Sequence, residues 1–155
     1  MENINYDVLK QEVGDLLDQH RIMVLATAAQ DHVTARAVSC IRQDLRIYFQ
    51  TDSDFLKCRQ IEENPRVALC GGNMQIEGTA RLIGRTLDER NRELAALYRE
   101  IHPGSFKAYS DRESSVFAEV EIARVTLWKY ENAHSLRDFL DVPEQRATRE
   151  YYCKV

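Results

Sequence analysis

Residues 33–65 read VTARAVSCIRQDLRIYFQTDSDFLKCRQIEENP, and this stretch decides the fold. Val33–Ile41 is a strand with Arg36 set among small and apolar residues. Gln43-Asp44 turns into Leu45–Gln50, where Leu45, Ile47 and Phe49 alternate with Arg46, Tyr48 and Gln50. That period of two marks a strand with one buried face. Asp54–Glu63 is amphipathic and follows three residues that can cap a helix, Asp52, Ser53 and Asp54. Asn64-Pro65 ends it, because the residue before a proline avoids the helical region. Two hydroxyls (Thr51 and Ser53), a helix start and Lys57 thus lie close together at the end of a strand. They offer backbone N–H groups, the positive end of a helix dipole and a mobile cation, which is what a phosphate needs.

Outward from this stretch the chain is mostly strand. Arg21–Thr27 is a short apolar run, Gln30-Asp31-His32 a turn, Arg66–Cys70 a strand and Gly71-Gly72 a hairpin turn. Met74–Ile83 alternates most clearly, with Met74, Ile76, Gly78, Ala80 and Leu82 on one face. In Val116–Tyr130 the apolar phase is even through Ile122 and odd from Val125, the mark of a bulge or of two strands. Three segments are helical or irregular. Leu9, Val13, Leu16, Leu17 and His20 form one helical stripe near the start. Thr86-x-x-Glu89 has the form of a capping box and opens a helix that His102-Pro103-Gly104 stops. Ser105–Ser115 reads as a loop with a helical turn. Residues 131–155 form a charged C-terminal extension with two apolar clusters, Phe139-Leu140 and Tyr151-Tyr152. The expected fold is mainly β with flanking helices, a six-stranded antiparallel barrel in one domain over residues 1–155.

Composition narrows the function. A formal net charge of −4 disfavours a general nucleic-acid surface. No run approaches the ~20 apolar residues of a membrane span, and the acidic, amphipathic N-terminus is no secretory signal. Cys40, Cys58, Cys70 and Cys153 form no C-x-x-C pair and read as reduced thiols of a cytoplasmic protein. The four histidines lack ligand spacing, so no metal is expected. No Ser-His-Asp or Cys-His arrangement stands out, and no catalytic acid or base is nominated.

Each candidate has a plainer reading. Lys57 suits a solvated helix face as well as a phosphate. Arg36 could meet a cross-strand carboxylate such as Glu77, although a guanidinium among apolar neighbours needs a partner and phosphate is a good one. Thr51 is equally a strand-end residue, Trp128 a core or interface filler, and Asn73 a turn residue.

Taken together, embedded Arg36, Phe49-Gln50-Thr51, Lys57, Ile61…Asn64-Pro65-Arg66-Val67, Gly78-x-Ala80 and Trp128 resemble the pyridoxamine 5′-phosphate oxidase-like FMN-binding split barrels. The likeness covers roughly residues 5 to 130 and is nearest the short general-stress and nitroimidazole-resistance members. It implies a homodimer with FMN in clefts at the subunit interface. By the same resemblance, Arg36, Ala37 and Val38 contact the flavin and its phosphate side. Gln50 and Thr51 lie at the cofactor, Lys57 meets the phosphate, Asn73 or Gln75 approaches the ring edge, and Trp128 comes from the partner chain. The chain departs from the oxidase pattern. Phe55-Leu56 replace a serine-arginine pair, Ile41 a lysine, and the arginine-x-histidine substrate pair is not reproduced; His134 and Arg137 are its nearest candidates. The implied function is an FMN-dependent oxidoreductase acting on a small molecule other than pyridoxine phosphate. The alternatives are a flavin carrier or redox sensor, or a barrel binding haem or a deazaflavin.

Overall fold

The computed structural model describes residues 1–152. In chain order the elements are β1 (Glu2–Ile4), α1 (Tyr6–Gln19), β2 (Ile22–Ala29), β3 (His32–Gln43), β4 (Arg46–Asp52), α2 (Leu56–Glu63), β5 (Arg66–Gly71) and β6 (Met74–Arg85). A short 3-10 turn, Glu89–Asn91, leads into α3 (Arg92–Ile101) and α4 (Pro103–Tyr109), followed by β7 (Ser115–Glu131), β8 (His134–Asp141) and β9 (Arg146–Tyr151). All pairings are antiparallel. The order β4-β3-β2-β5-β6 is closed by β6 pairing with β7, which also pairs with β4, giving a six-stranded split barrel. Beyond the barrel the sheet continues from β7 through β8 and β9 to β1.

The core is what the alternation predicts. Leu25, Ile47, Phe49, Leu69, Ile76, Val120 and Leu127 fill the barrel, and Leu9, Val13 and Leu17 of α1 join the same cluster. A second cluster lies outside the barrel wall, where Leu94, Ala95 and Tyr98 of α3 cover Ile41, Tyr48 and Phe117. The phase change in β7 is a bulge in a single strand. Glu77 faces Arg124 while the next residue, Gly78, faces Ile122, so Ala123 is the extra residue. Buried positions accordingly move from Val120 and Ile122 to Val125 and Leu127.

Four local expectations are corrected. Helix α2 begins after Phe55 with no side-chain cap; Asp52 instead accepts from the Asp54 N–H at 2.9 Å, forming a turn ahead of the helix. The capping box at Thr86 does not form, because its hydroxyl is buried against Ser115 Oγ at 2.8 Å and Asp88 caps the 3-10 turn. Ser105–Tyr109 is the second part of a helix, α4, that starts at Pro103, and only 110–114 is a turn. The charged extension contains two paired strands, β8 and β9.

Buried Asp138 explains how that extension holds. It accepts from Lys129 Nζ at 2.8 Å and from Arg149 Nε and Nη2 at 2.7 and 2.9 Å. Lys129 also reaches Glu12 of α1 at 2.7 Å. The network ties the first helix, the end of β7 and the last two strands together.

Among the described residues, nothing covers one face of the barrel. Ala37, Val24, Cys70 and Gln75 stand in a cross-strand row, with Ala35, Ala26, Ala68 and Glu77 beside it. Ile22, Val24 and Val33 are large apolar residues exposed on this outer side.

Candidate functional site

At the junction of β3, β4, α2 and α4 lies a cavity of about 310 Å³. Its wall includes Ala37, Val38, Gln50, Thr51 and Lys57, five residues singled out in the sequence. The β3–β4 ladder stops at Cys40 and Phe49, so Ala37-Val38 and Gln50-Thr51 lie beyond the last pair, where the two strands part, and α2 brings Lys57 alongside. The opposite side comes from α3, α4, the turn after α4 and the first residue of β7, through Tyr98, Ser105, Tyr109, Arg112 and Ser115. None of these five is recognisable in the sequence, because no local pattern links them to the β4–α2 corner. Only the polar character of 105–115 hinted at a role other than core.

Hydroxyls and amides fix the inner wall. Gln50 donates to Ser115 Oγ at 2.8 Å and accepts from Ser110 Oγ at 3.3 Å. Ser115 in turn meets Thr86. The Thr51 hydroxyl is different: it is buried beside the Cys58 thiol and, among the described residues, makes no well-formed hydrogen bond. A buried hydroxyl without a partner carries a desolvation cost that a bound acceptor or donor would remove.

The charges are unbalanced. Burial holds Lys57 below the ordinary ammonium range, and the like charge of Arg36 acts in the same direction. Its ammonium rests 4.8 Å from the centre of the Phe55 ring. Arg112 rests on the Tyr109 ring at 5.1 Å. Among the described residues the ion pairs all lie elsewhere, so Lys57, Arg112 and Arg36 have no carboxylate in ion-pair range. Asp52 is the one carboxylate on the wall. Hydrogen bonds from the Asp54 N–H and the Ser114 hydroxyl (2.8 Å) hold its carboxyl below the usual range, helped by Arg112 and Lys57.

Arg36 sits behind this wall. It donates to Thr27 Oγ1 at 2.8 Å, to the Leu25 carbonyl at 3.2 Å and to Thr34 Oγ1. Gln60 of α2 accepts from Thr27 and Thr34 at 2.6 and 2.8 Å. The alternative pairing with Glu77 is absent. The guanidinium is held by neutral groups under α2 and does not line the cavity.

Asn73, Gln75 and Trp128 lie away from the cavity within the chain. Asn73 follows Gly72 in the turn between β5 and β6 and donates to the Trp128 carbonyl at 2.7 Å. Gln75 is exposed on the uncovered outer face, opposite Thr126. Trp128 is 46% exposed and stacks on Tyr152 with ring centroids 5.8 Å apart. Arg137 lies over both rings at 4.9 and 4.7 Å. The nine residues singled out therefore form three groups: five at the cavity, Arg36 behind it, and three at the β5–β6 turn and on the outer side of β6 and β7.

Cys40, Cys58 and Cys70 are free thiols, and burial pushes the Cys40 thiol up to about 12. Cys153 lies outside the described residues. Among the described residues no helix is long and apolar enough to cross a membrane.

A split barrel with a basic, hydroxyl-lined cavity at one corner defines the class, and comparison with known proteins gives the family. Residues 9–129 match the family model described as pyridoxamine 5′-phosphate oxidase, and the chain belongs to that family. General stress protein 26 of Bacillus subtilis is 33% identical over 69 residues, 44% of this chain and 49% of that protein. The match thus spans about half the length of the relative. A putative pyridoxamine 5′-phosphate oxidase from Listeria innocua has the same fold, with TM-score 0.63, 21% identity and coverage of 77% and 97% of the two chains. So do a FAD-binding protein from Mesorhizobium loti (TM-score 0.59, 16% identity, 74% and 90% covered) and the haem storage protein HutZ from Vibrio cholerae (TM-score 0.63, 14% identity, 74% and 90% covered).

Proposed function

We propose that this protein binds FMN and acts as a flavin-dependent oxidoreductase on a small molecule other than pyridoxine phosphate. One observation carries the reading: among the described residues, a half-buried lysine with no carboxylate in ion-pair range shares a cavity wall with a buried hydroxyl that makes no well-formed hydrogen bond. Both unmet needs are answered by a phosphate monoester, which accepts several hydrogen bonds and neutralises the cation. The residues present therefore fit the phosphate end of the nucleotide. Lys57 and Thr51 bind it, Arg36 adds positive potential from behind, and Gln50 is oriented by Ser110 and Ser115. Membership of the oxidase family and a FAD-binding protein of the same fold support a flavin.

The assembly belongs to the same proposal. Ala37 lies both on the cavity wall and in the uncovered row that runs through Val24 and Cys70 to Gln75. A second copy of the chain is the natural cover for this apolar face. Packing two such faces about a two-fold axis would bring Asn73, Gln75 and Trp128 of one subunit toward the cavity of the other. When bound, the flavin supplies the hydride and electron chemistry. The chain binds the phosphate, orients an amide toward the ligand and shields the site with α3 and α4. The free thiols accord with a reducing compartment such as the cytoplasm.

The test is the visible spectrum of the purified protein followed by FMN titration of wild type and Lys57→Gln. Flavin absorption or saturable FMN binding is expected, weakened by about 10- to 100-fold in the variant, the range for one charge-assisted hydrogen bond. A Soret band with no flavin affinity would replace FMN by haem, the ligand associated with HutZ. Stopped-flow reduction by NADH or NADPH then separates an enzyme from a carrier. Fast reduction with turnover on an acceptor supports the enzyme; slow reduction without turnover supports the carrier.

A further inference from the structure

The cavity has a second cation that no motif announces. Arg112 lies between α4 and β7, 55 positions after Lys57, yet lines the same cavity. The two cations are built alike. Each is braced on an aromatic ring adjacent to the cavity, Lys57 on Phe55 and Arg112 on Tyr109. Phe55 and Tyr109 are themselves about half exposed and also line the cavity, so the braces stand at its rim. Among the described residues neither cation has a carboxylate in ion-pair range, and Asp52 is already satisfied by Ser114 and the Asp54 N–H. Bracing restricts a long side chain before the ligand arrives and so lowers the ordering cost of binding. Two braced cations on different walls, with one saturated acid between them, form a seat for a compact group carrying two negative charges.

We propose that Arg112 is the second phosphate-gripping residue of this cavity, closing on a terminal phosphate monoester from the α4 side while Lys57 holds it from the α2 side. This rests on the flavin reading above and deepens it, since it makes the phosphate the basis of selection. The site then prefers FMN to riboflavin, which has no phosphate, and to FAD, whose two phosphates form an internal pyrophosphate with no terminal dianion. It also gives α4 a role: the helix positions Tyr109, which in turn positions Arg112. The guanidinium enters from a part of the chain remote from the β4–α2 corner, where Phe55-Leu56 supply no cation of their own.

The test compares FMN, riboflavin and FAD by fluorescence titration of wild type, Arg112→Gln, Arg112→Lys and Tyr109→Leu. Thermal melts confirm that each variant is folded; Arg112 is exposed, so its replacement leaves the core intact. Wild type is expected to bind FMN most tightly. Arg112→Gln should lower FMN affinity about 10- to 100-fold and change riboflavin affinity less than about twofold, erasing the preference. Arg112→Lys should retain part of it, because it keeps the charge and loses the planar fork. Tyr109→Leu should weaken FMN binding by a smaller factor in the same direction. If Arg112→Gln leaves FMN affinity unchanged, or lowers FMN and riboflavin equally, the Arg112 role is overturned while the flavin reading stands. If wild type binds none of the three flavins, both fall.

Discussion

Replacing Asp138 with asparagine keeps the shape of the side chain and removes its charge. The carboxylate is fully buried and accepts three short hydrogen bonds, one from Lys129 and two from Arg149. Asparagine can accept at only one of its two positions and presents an NH₂ to a cation at the other. Breaking a buried ion pair by removing one partner costs about 3–5 kcal/mol. Lys129 keeps Glu12 and Arg149 keeps Glu131 at 3.2 Å, which favours the lower end, about 3 kcal/mol. For a domain of this size that lowers Tm by about 6–12 °C. The pH dependence gives a sharper signature. Burial alone would raise the Asp138 pKa, but hydrogen bonds from Arg149 and Lys129 outweigh it and the net shift is downward. A depressed folded-state pKa contributes stability above the unfolded value, about 3.9, and loses it as pH falls through the folded value. The gap between wild type and Asp138→Asn should therefore be full at pH 7 and shrink below about pH 4. Urea unfolding at both pH values measures it. A gap under about 1 kcal/mol at pH 7, or one that does not narrow in acid, would refute the assigned role of the network.

Two other substitutions probe the barrel. Gly78→Ala places a Cβ 2.5 Å from the Glu121 carbonyl oxygen, beside the bulge in β7, and 2.9 Å from Val120 Cγ1. The backbone must move, so a loss of about 1–3 kcal/mol is expected in urea unfolding; an unchanged midpoint would mean the strands there are looser than described. Val24→Glu puts a charge in the middle of the uncovered row, on a residue 45% exposed in the single chain. Sedimentation should show a wild-type dimer and a variant shifted to monomer, and a monomeric wild type would sink the proposed assembly.

Much of the barrel is legible in local pattern. Alternation in Leu45–Gln50 and Met74–Ile83 gives the strands, and the phase change after Ile122 gives the bulge, because a strand has a strict period of two. The cavity is legible only on one side. Lys57, Thr51 and Val38 belong to a compact strand–helix corner, whereas Tyr98, Tyr109 and Arg112 reach it through the packing of α3 on the outer wall. Strand β8 was hidden for a related reason. Its buried positions are Leu136, Asp138 and Leu140, and a charge at the middle one breaks the apolar rhythm.

Sequence alone settled what depends on neighbours along the chain: strand faces, the end of α2 at Asn64-Pro65 and a basic, hydroxylated corner. Tertiary structure decided what depends on neighbours in space. It set Arg36 behind the cavity among hydroxyls, brought Arg112 to the rim and allowed Asp138 to be buried. The energy of a charge is fixed by the partners and dielectric around it, and those come from segments that only the closed barrel brings into contact.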